Sequence, residues 1–238
     1  MDKKIQNIDK QLKNVKSDLK FQESFLQCHF KDSYVFEKIY SQKKWGTNKQ
    51  GKPHSGNGSV VENALPYIDY LQNFINTHDV TSILDVGCGD WQIMSSIDIL
   101  QHVEDKGVDA SKYVIDQNKE KYNQKNVKFK HIRDLNDIKN IKGDLIVIKE
   151  VMQHWDQEQS LYFINKILPN FKRAIICNRY SYSKEKNNKS IKLGGFTCMD
   201  LGESPYNLKF SNSFIYEKGL IKGEYLQVVF WENQQQNK

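Results

Sequence analysis

One short stretch constrains this chain more than any other: Ile83-Leu84-Asp85-Val86-Gly87-Cys88-Gly89-Asp90-Trp91. An aliphatic strand signal runs through a carboxylate into a turn that lacks a side chain at two positions. In an open α/β sheet such a turn lies at the carboxyl end of a strand, where ligands bind and can approach bare backbone. A second acid, Asp109, ends the next strand signal, Gly107-Val108-Asp109, 20 residues beyond Gly89. That is the usual distance for a carboxylate that grips a ribose diol. A dinucleotide site would need glycine at the third position of G-x-G-x-x-G, where Gln92 stands, and no G-K-[ST] follows to make a phosphate loop. Asp85 beside the turn would repel a pyrophosphate and attract a cation. A turn serving chain reversal alone would not explain the coupled Asp109.

The rest of the chain supplies the sheet. Strand-like runs at 82–86, 106–109, 127–132, 144–148 and 174–177 alternate with helical stretches near 92–100, 112–122 and 157–168. Such alternation predicts a parallel sheet covered by helices on both faces. Two last strand signals, 213–217 and 225–231, are separated by a segment too short for a crossover helix, so they should pair antiparallel. Ahead of the sheet, Val60, Val61, Ala64, Leu65, Ile68, Leu71, Phe74 and Ile75 mark a helix, with Ser59 as a candidate cap and Pro66 kinking it or moving its start. Residues 43–59 are too polar and glycine-rich for a regular element.

Ile5, Ile8, Leu12, Val15, Leu19 and Leu26 follow spacings of three and four, broken at Gln22, which predicts an amphipathic N-terminal helix with heptad character. A homodimer through this helix competes with packing against its own domain. The expected organisation is a helix over 1–30, a cap and lead-in helix over 31–80, and a ligand-binding domain over 81–238.

Among 238 residues, 38% are hydrophobic, enough for one sizeable core. The net charge of +6 comes from lysines spread among 29 acidic residues rather than from a basic block, a weak argument for a nucleic-acid partner that leaves one open. Four cysteines without C-x-x-C spacing indicate neither a zinc site nor a disulfide framework, and no metal is expected. Neither a signal peptide nor a run near the ~20 apolar residues of a membrane span is visible, so a soluble, cytoplasmic protein is expected.

The segment 83–91 resembles motif I of class I S-adenosylmethionine-dependent methyltransferases, and Gly107-Val108-Asp109-Ala110-Ser111 resembles their acidic second motif. Asp144 to Trp155 is similar to the fourth-strand segment that closes over the methyl group. The resemblance covers residues 81 to about 178. It implies a Rossmann-like three-layer α/β sandwich, a mostly parallel seven-stranded sheet with an antiparallel last strand, here preceded by an N-terminal helix. It further implies S-adenosylmethionine as cofactor, with Asp85, Gly87, Cys88 and Gly89 around its methionine portion and Asp109 on the ribose hydroxyls. Ala110 would lie against the adenine. Asp134-Leu135 resembles the place where the adenine amino group is recognised, although Asp134 reads equally well as a helix cap. Lys149 and Trp91 would border the cofactor, with Trp91 alternatively packing under the first helix.

Methyl transfer to a hydroxyl needs an in-line nucleophile and a base. Glu150 and His154 are the candidates; four residues apart, they would share a face if the chain turned helical after Ile148. His154 has the more suitable ordinary pKa, with a structural cleft role as its alternative. Glu150 could instead balance the sulfonium or pair with Lys149 or Arg179. The acceptor would meet Trp45, Ser55, Asn57 and Ser59 of the cap, Trp155, and Asn178-Arg179 after the fifth strand, where Arg179 would grip a phosphate or carboxylate. The expected activity is O-methylation of a sugar, glycan intermediate or other small polar metabolite. Methylation of nucleic acid or protein, and a non-catalytic dimerising scaffold, are the competing readings.

Overall fold

The computed structural model describes residues 8, 11–12, 15–16, 31–99, 101–219 and 221–234. Two helices, α1 (Lys31–Ser41) and α2 (Leu65–Thr77), lead into the sheet. Then come β1 (Ser82–Val86), β2 (Glu104–Asp109), α3 (Lys112–Lys121), β3 (Val127–His131), β4 (Gly143–Lys149), α4 (Gln157–Tyr162), β5 (Phe171–Tyr180), β6 (Asn212–Glu217) and β7 (Tyr225–Glu232). The strands form one seven-stranded sheet in the order β3-β2-β1-β4-β5-β7-β6. All pairings from β3 to β5 are parallel, while β7 runs antiparallel to both β5 and β6. The chain therefore has the predicted Rossmann-like sandwich with its last strand antiparallel.

Strand periodicity explains why the two faces are both apolar. Along β4, Leu145 and Val147 enter the core on the side of α2, whereas Ile146 and Ile148 enter the opposite core. β1 divides the same way, with Ile83 on the first side and Leu84 and Val86 on the second. A strand buried on both faces needs apolar residues at nearly every position, which is what these runs supply. Asp85, between Leu84 and Val86, must then point toward the face of Ile83.

Three local expectations are corrected. In place of the helix expected near 92–100, the described residues 92–99 form a turn followed by a 3-10 turn at Met94–Ser96. Trp91 has a left-handed φ of 57°, and Ile93, Met94 and Ile97 are all buried, so the segment folds in as an irregular wedge rather than presenting one apolar stripe. The lead-in helix begins at Leu65 with Pro66 in its first turn, where a missing N–H costs nothing, and Ser59 lies in a separate 3-10 turn instead of capping it. After Ile148 the chain does not become α-helical: Glu150 is left-handed at φ 55°, and a 3-10 turn, Met152–His154, follows.

The helix expected over 1–30 lies outside the described residues except for a few positions, of which Ile8, Leu12 and Val15 are about half exposed. Among the described residues, no helix is long and apolar enough to cross a membrane.

Candidate active site

Strand order reverses between β1 and β4, and a crevice opens where the carboxyl ends of those strands diverge. A cavity of about 430 Å³ occupies it. Its walls include Asp85, Gly87, Cys88 and Gly89 after β1, Asp109 and Ala110 after β2, Leu135 after β3, and Lys149 and Glu150 after β4.

The turn after β1 is held from several sides. Gly87 and Gly89 have φ values of 69° and 53°, in the region that favours glycine. What approaches their bare backbone is protein: a Cβ on Gly87 would lie 2.4 Å from Val151 Cγ2, and one on Gly89 would lie 2.5 Å from Ser55 Oγ. The peptide N–H of Gly89 donates to Asp109 Oδ2 at 3.0 Å, and Ser111 N–H donates to Asp109 Oδ1 at 2.8 Å. Asn118 Nδ2 of α3 donates to the Gly89 carbonyl at 2.7 Å.

Register places Asp105, Gly107 and Asp109 of β2 on the same face as Asp85, whose β2 partner is Gly107. The carboxyls crowd one another in a buried region. Burial pushes Asp109 up to about 6, against the hydrogen bonds from Ser111 and Gly89. It pushes Asp105 to about 7, with the Trp91 side chain opposing. Asp85 is raised well above the ordinary range by burial and then by Asp105 and Asp109. A cation seated here would be strongly favoured, because it would relieve both the desolvation and the mutual repulsion.

The opposite wall carries a chain of ion pairs. Glu150 Oε2 lies 2.8 Å from Lys149 Nζ, and Glu150 Oε1 lies 2.8 Å from Lys218 Nζ. Lys218 also stands 3.7 Å from Glu224 Oε2, and Glu224 pairs with Arg179 Nη1. Burial alone would raise Glu150, but Lys149 and Lys218 hold it at about 2. Glu150 is thus the shared counter-ion of Lys149 and Lys218, and a carboxylate so held is a weak proton acceptor.

His154 is arranged differently. Its Nδ1 donates to the Gly195 carbonyl at 2.7 Å, which assigns the proton to Nδ1 and leaves Nε2 with its lone pair. Burial lowers its pKa, against the opposing effects of Gly195 and Glu150, so the imidazole is neutral at neutral pH. The ring is flanked by Trp45, with centroids 5.3 Å apart, and Phe196, at 5.9 Å. All three line the cavity.

The cap closes this space from above. Ser55 Oγ accepts from the Asp90 peptide N–H at 2.7 Å and lies 2.8 Å from Tyr40 Oη. Lys149 Nζ donates to the Gly58 carbonyl at 2.7 Å, and a Cβ on Gly58 would fall 1.9 Å from Glu150 Oε2. Cap and strand ends are thus fitted directly to each other. Asn57 and Ser59 also line the cavity, as do Trp155 and Arg179.

Three sequence candidates stand apart from it. Trp91 is 2% exposed and packs edge-on against Tyr122 and Phe129, not under a helix after β1. Asp134 uses Oδ1 to accept from Asn136 N at 2.8 Å, so it is the cap of a 3-10 turn. Asn178 is buried on β5 and does not reach the cavity. Sequence reasoning missed Asp32, Tyr40, Lys218 and Glu224, which all line the cavity. Only tertiary folding brings them there, and no spacing signal marks them. Among the described residues, no group of three or more His, Cys, Asp or Glu is arranged to hold a metal ion.

No protein-family model and no curated protein matches the chain. Solved structures do match. PigF with SAH aligns over 71% of this chain and 55% of its own, at 15% identity and a TM-score of 0.52. The mitomycin 7-O-methyltransferase MmcR aligns over 71% and 54%, at 13% identity and a TM-score of 0.51. The N-terminal domain of EvdMO1 with SAH bound aligns over 83% and 95%, at 10% identity and a TM-score of 0.56. The chain thus spans little more than half the length of PigF and MmcR. At these identities the likeness is one of fold, and the fold is that of the class I methyltransferases.

Proposed function

We propose that this chain, which has the class I methyltransferase fold, transfers the methyl group of S-adenosylmethionine to a hydroxyl of a sugar, a glycan intermediate or another small polar acceptor. The observation that carries the reading is that one cavity holds both the buried acids Asp85 and Asp109 and the neutral imidazole of His154. The acids suit a ligand with a positive charge and ribose hydroxyls, and the imidazole suits an acceptor that must lose a proton. That PigF and EvdMO1 carry SAH in their structures supports the same cofactor here.

When bound, the cofactor supplies an electrophilic methyl on a positively charged sulfur that departs as a neutral thioether. The work of the protein is then positional and electrostatic. Asp85 offers a negative charge to the methionine portion, and Asp109 offers carboxylate oxygens to the ribose. His154 Nε2 takes the acceptor proton, while the Nδ1 bond to Gly195 fixes the ring and stabilises the imidazolium that forms. Trp45 and Phe196 give the acceptor flat apolar walls. Lys149, Lys218 and Arg179 face only Glu150 and Glu224 in their network, leaving an excess positive charge that favours an acceptor bearing a carboxylate or phosphate.

Calorimetric titration with S-adenosylmethionine tests the first half of the reading, and a non-catalytic scaffold that has lost the site would give no heat. Incubation with methyl-labelled cofactor and fractionated metabolites, glycans, RNA and protein tests the second. Label in RNA or protein alone would replace the small acceptor with a polymer. A homodimer through residues 1–30 is a separate expectation, checked by sedimentation of the full chain.

A further inference from the structure

The end of the cavity beyond Asp109 is closed by α1, a helix that precedes the sheet. Asp32, in the first turn of α1, is 3% exposed and lines the cavity with Ala110, Ile132 and Leu135. Its position is fixed by bonds to the strand ends. Ser33 N–H donates to the Arg133 carbonyl at 3.1 Å, and Ser33 Oγ lies 2.8 Å from His131 Nε2, which in turn lies 3.1 Å from the Ala110 carbonyl. From the other side, Gln159 Nε2 of α4 donates to Asp32 Oδ1 at 2.5 Å. Among the described residues, Asp32 Oδ2 receives no hydrogen bond.

The neighbouring carboxylate points elsewhere. Asp134 spends Oδ1 on the Asn136 peptide and does not line the cavity. Ala110, Ile132 and Leu135 thus give the cavity apolar lining, and Asp32, which lines it with them, adds an acceptor-only carboxylate whose Oδ2 receives no hydrogen bond among the described residues. A purine with an exocyclic amine has the complementary form, a flat apolar face with a donor at its edge.

We propose that Asp32 reads the adenine amino group of the cofactor, with Oδ2 accepting one of its N–H bonds, so that α1 supplies a base-recognition residue from outside the sheet. This rests on the methyltransferase reading. Burial pushes Asp32 up to about 6, against the Gln159 hydrogen bond, which marks a carboxylate kept dry at a cost that a donor would offset. A site that presents a buried acceptor to an amine should reject an analogue without the amine, since the acceptor is then left without a partner.

The experiment compares binding of S-adenosylhomocysteine with that of its 6-deamino analogue, in which hydrogen replaces the adenine amino group, by calorimetry at pH 8. The full-length wild-type chain is expected to bind the deamino analogue at least tenfold more weakly. Asp32→Ser should lower affinity for S-adenosylhomocysteine and bring the two ligands within threefold of each other. Asp32→Ala is the second variant should the first not fold, with the same expectation. Asp134→Asn, which keeps the cap, should retain the wild-type preference. Equal affinities in the wild type, or a preference that survives at Asp32 variants and disappears in Asp134→Asn, would overturn the assignment while leaving cofactor binding intact. A wild-type chain that binds neither nucleoside removes the methyltransferase reading and this proposal with it.

Discussion

Lys218 Nζ lies 2.8 Å from Glu150 Oε1, joining the hairpin between β6 and β7 to the carboxyl end of β4. Lys218 is 5% exposed, so the pair is a buried one whose worth lies mainly in what happens when it is broken. Replacing Lys218 by methionine should leave Glu150 with Lys149 as its only direct partner and destabilise the fold by about 3 kcal/mol, the low end for a broken buried pair. Thermal unfolding of the variant measures this; an unchanged midpoint would show that the pair contributes nothing.

The same pair predicts an acid limit. Glu150 is held at about 2 in the folded chain, below its ordinary carboxylate value, because Lys149 and Lys218 outweigh burial. A depressed carboxylate contributes stability that is present above its unfolded pKa and lost as pH falls through the folded one. The stability difference between wild type and Glu150→Gln should therefore be constant from neutral pH to about pH 5 and shrink between about pH 4 and 2. Denaturant titrations across that range give the curve.

Asp109 titrates in the other direction. Its folded pKa is raised to about 6, so the native state holds this proton more tightly than the unfolded chain and loses that stabilisation as pH rises through 6. A ribose diol donates to the ionised form. Affinity for S-adenosylmethionine should accordingly weaken as pH falls through about 6, and Asp109→Asn should cost at least tenfold in affinity while removing that step from the profile. Calorimetry at a series of pH values checks both.

His154→Ala should lower turnover by at least tenfold with little change in cofactor affinity, as expected for a group that acts on the acceptor proton. Burial places the imidazole pKa below 6.5, so the acid limb of the wild-type pH–rate profile should also fall below that value. Wild-type turnover in His154→Ala would remove the residue from the mechanism.

Ser55 is the latch between cap and turn, bonded to the Asp90 peptide and facing Tyr40 Oη. Ser55→Ala should destabilise the fold by roughly 1 kcal/mol and raise the KM for cofactor more than it changes kcat, since it loosens closure and leaves His154 in place. A split in the opposite sense would place Ser55 in the chemical step.

Local pattern and tertiary placement divided the molecule between them. Strand identity was legible because residues such as Leu145, Ile146, Val147 and Ile148 must be apolar on both faces of a buried parallel strand, and the turn was legible because Gly87 and Gly89 occupy left-handed backbone that few other residues adopt. Periodicity is a local property and survives in one dimension. The role of each acid was not local. Glu150 read as either a base or an ion-pair partner, and Lys218, 68 residues on, is a partner no spacing marked. Asp134 read equally as an adenine contact or a cap, and its side chain accepts from Asn136. Asp32 carried no motif at all, and its meaning comes only from α1 lying across the ends of β2 and β3. Charge and proton affinity depend on what surrounds a group in space, so the sequence by itself determined the sheet and its glycine turn, while the tertiary structure alone decided which carboxylates are paired, which are capped and which face the ligand.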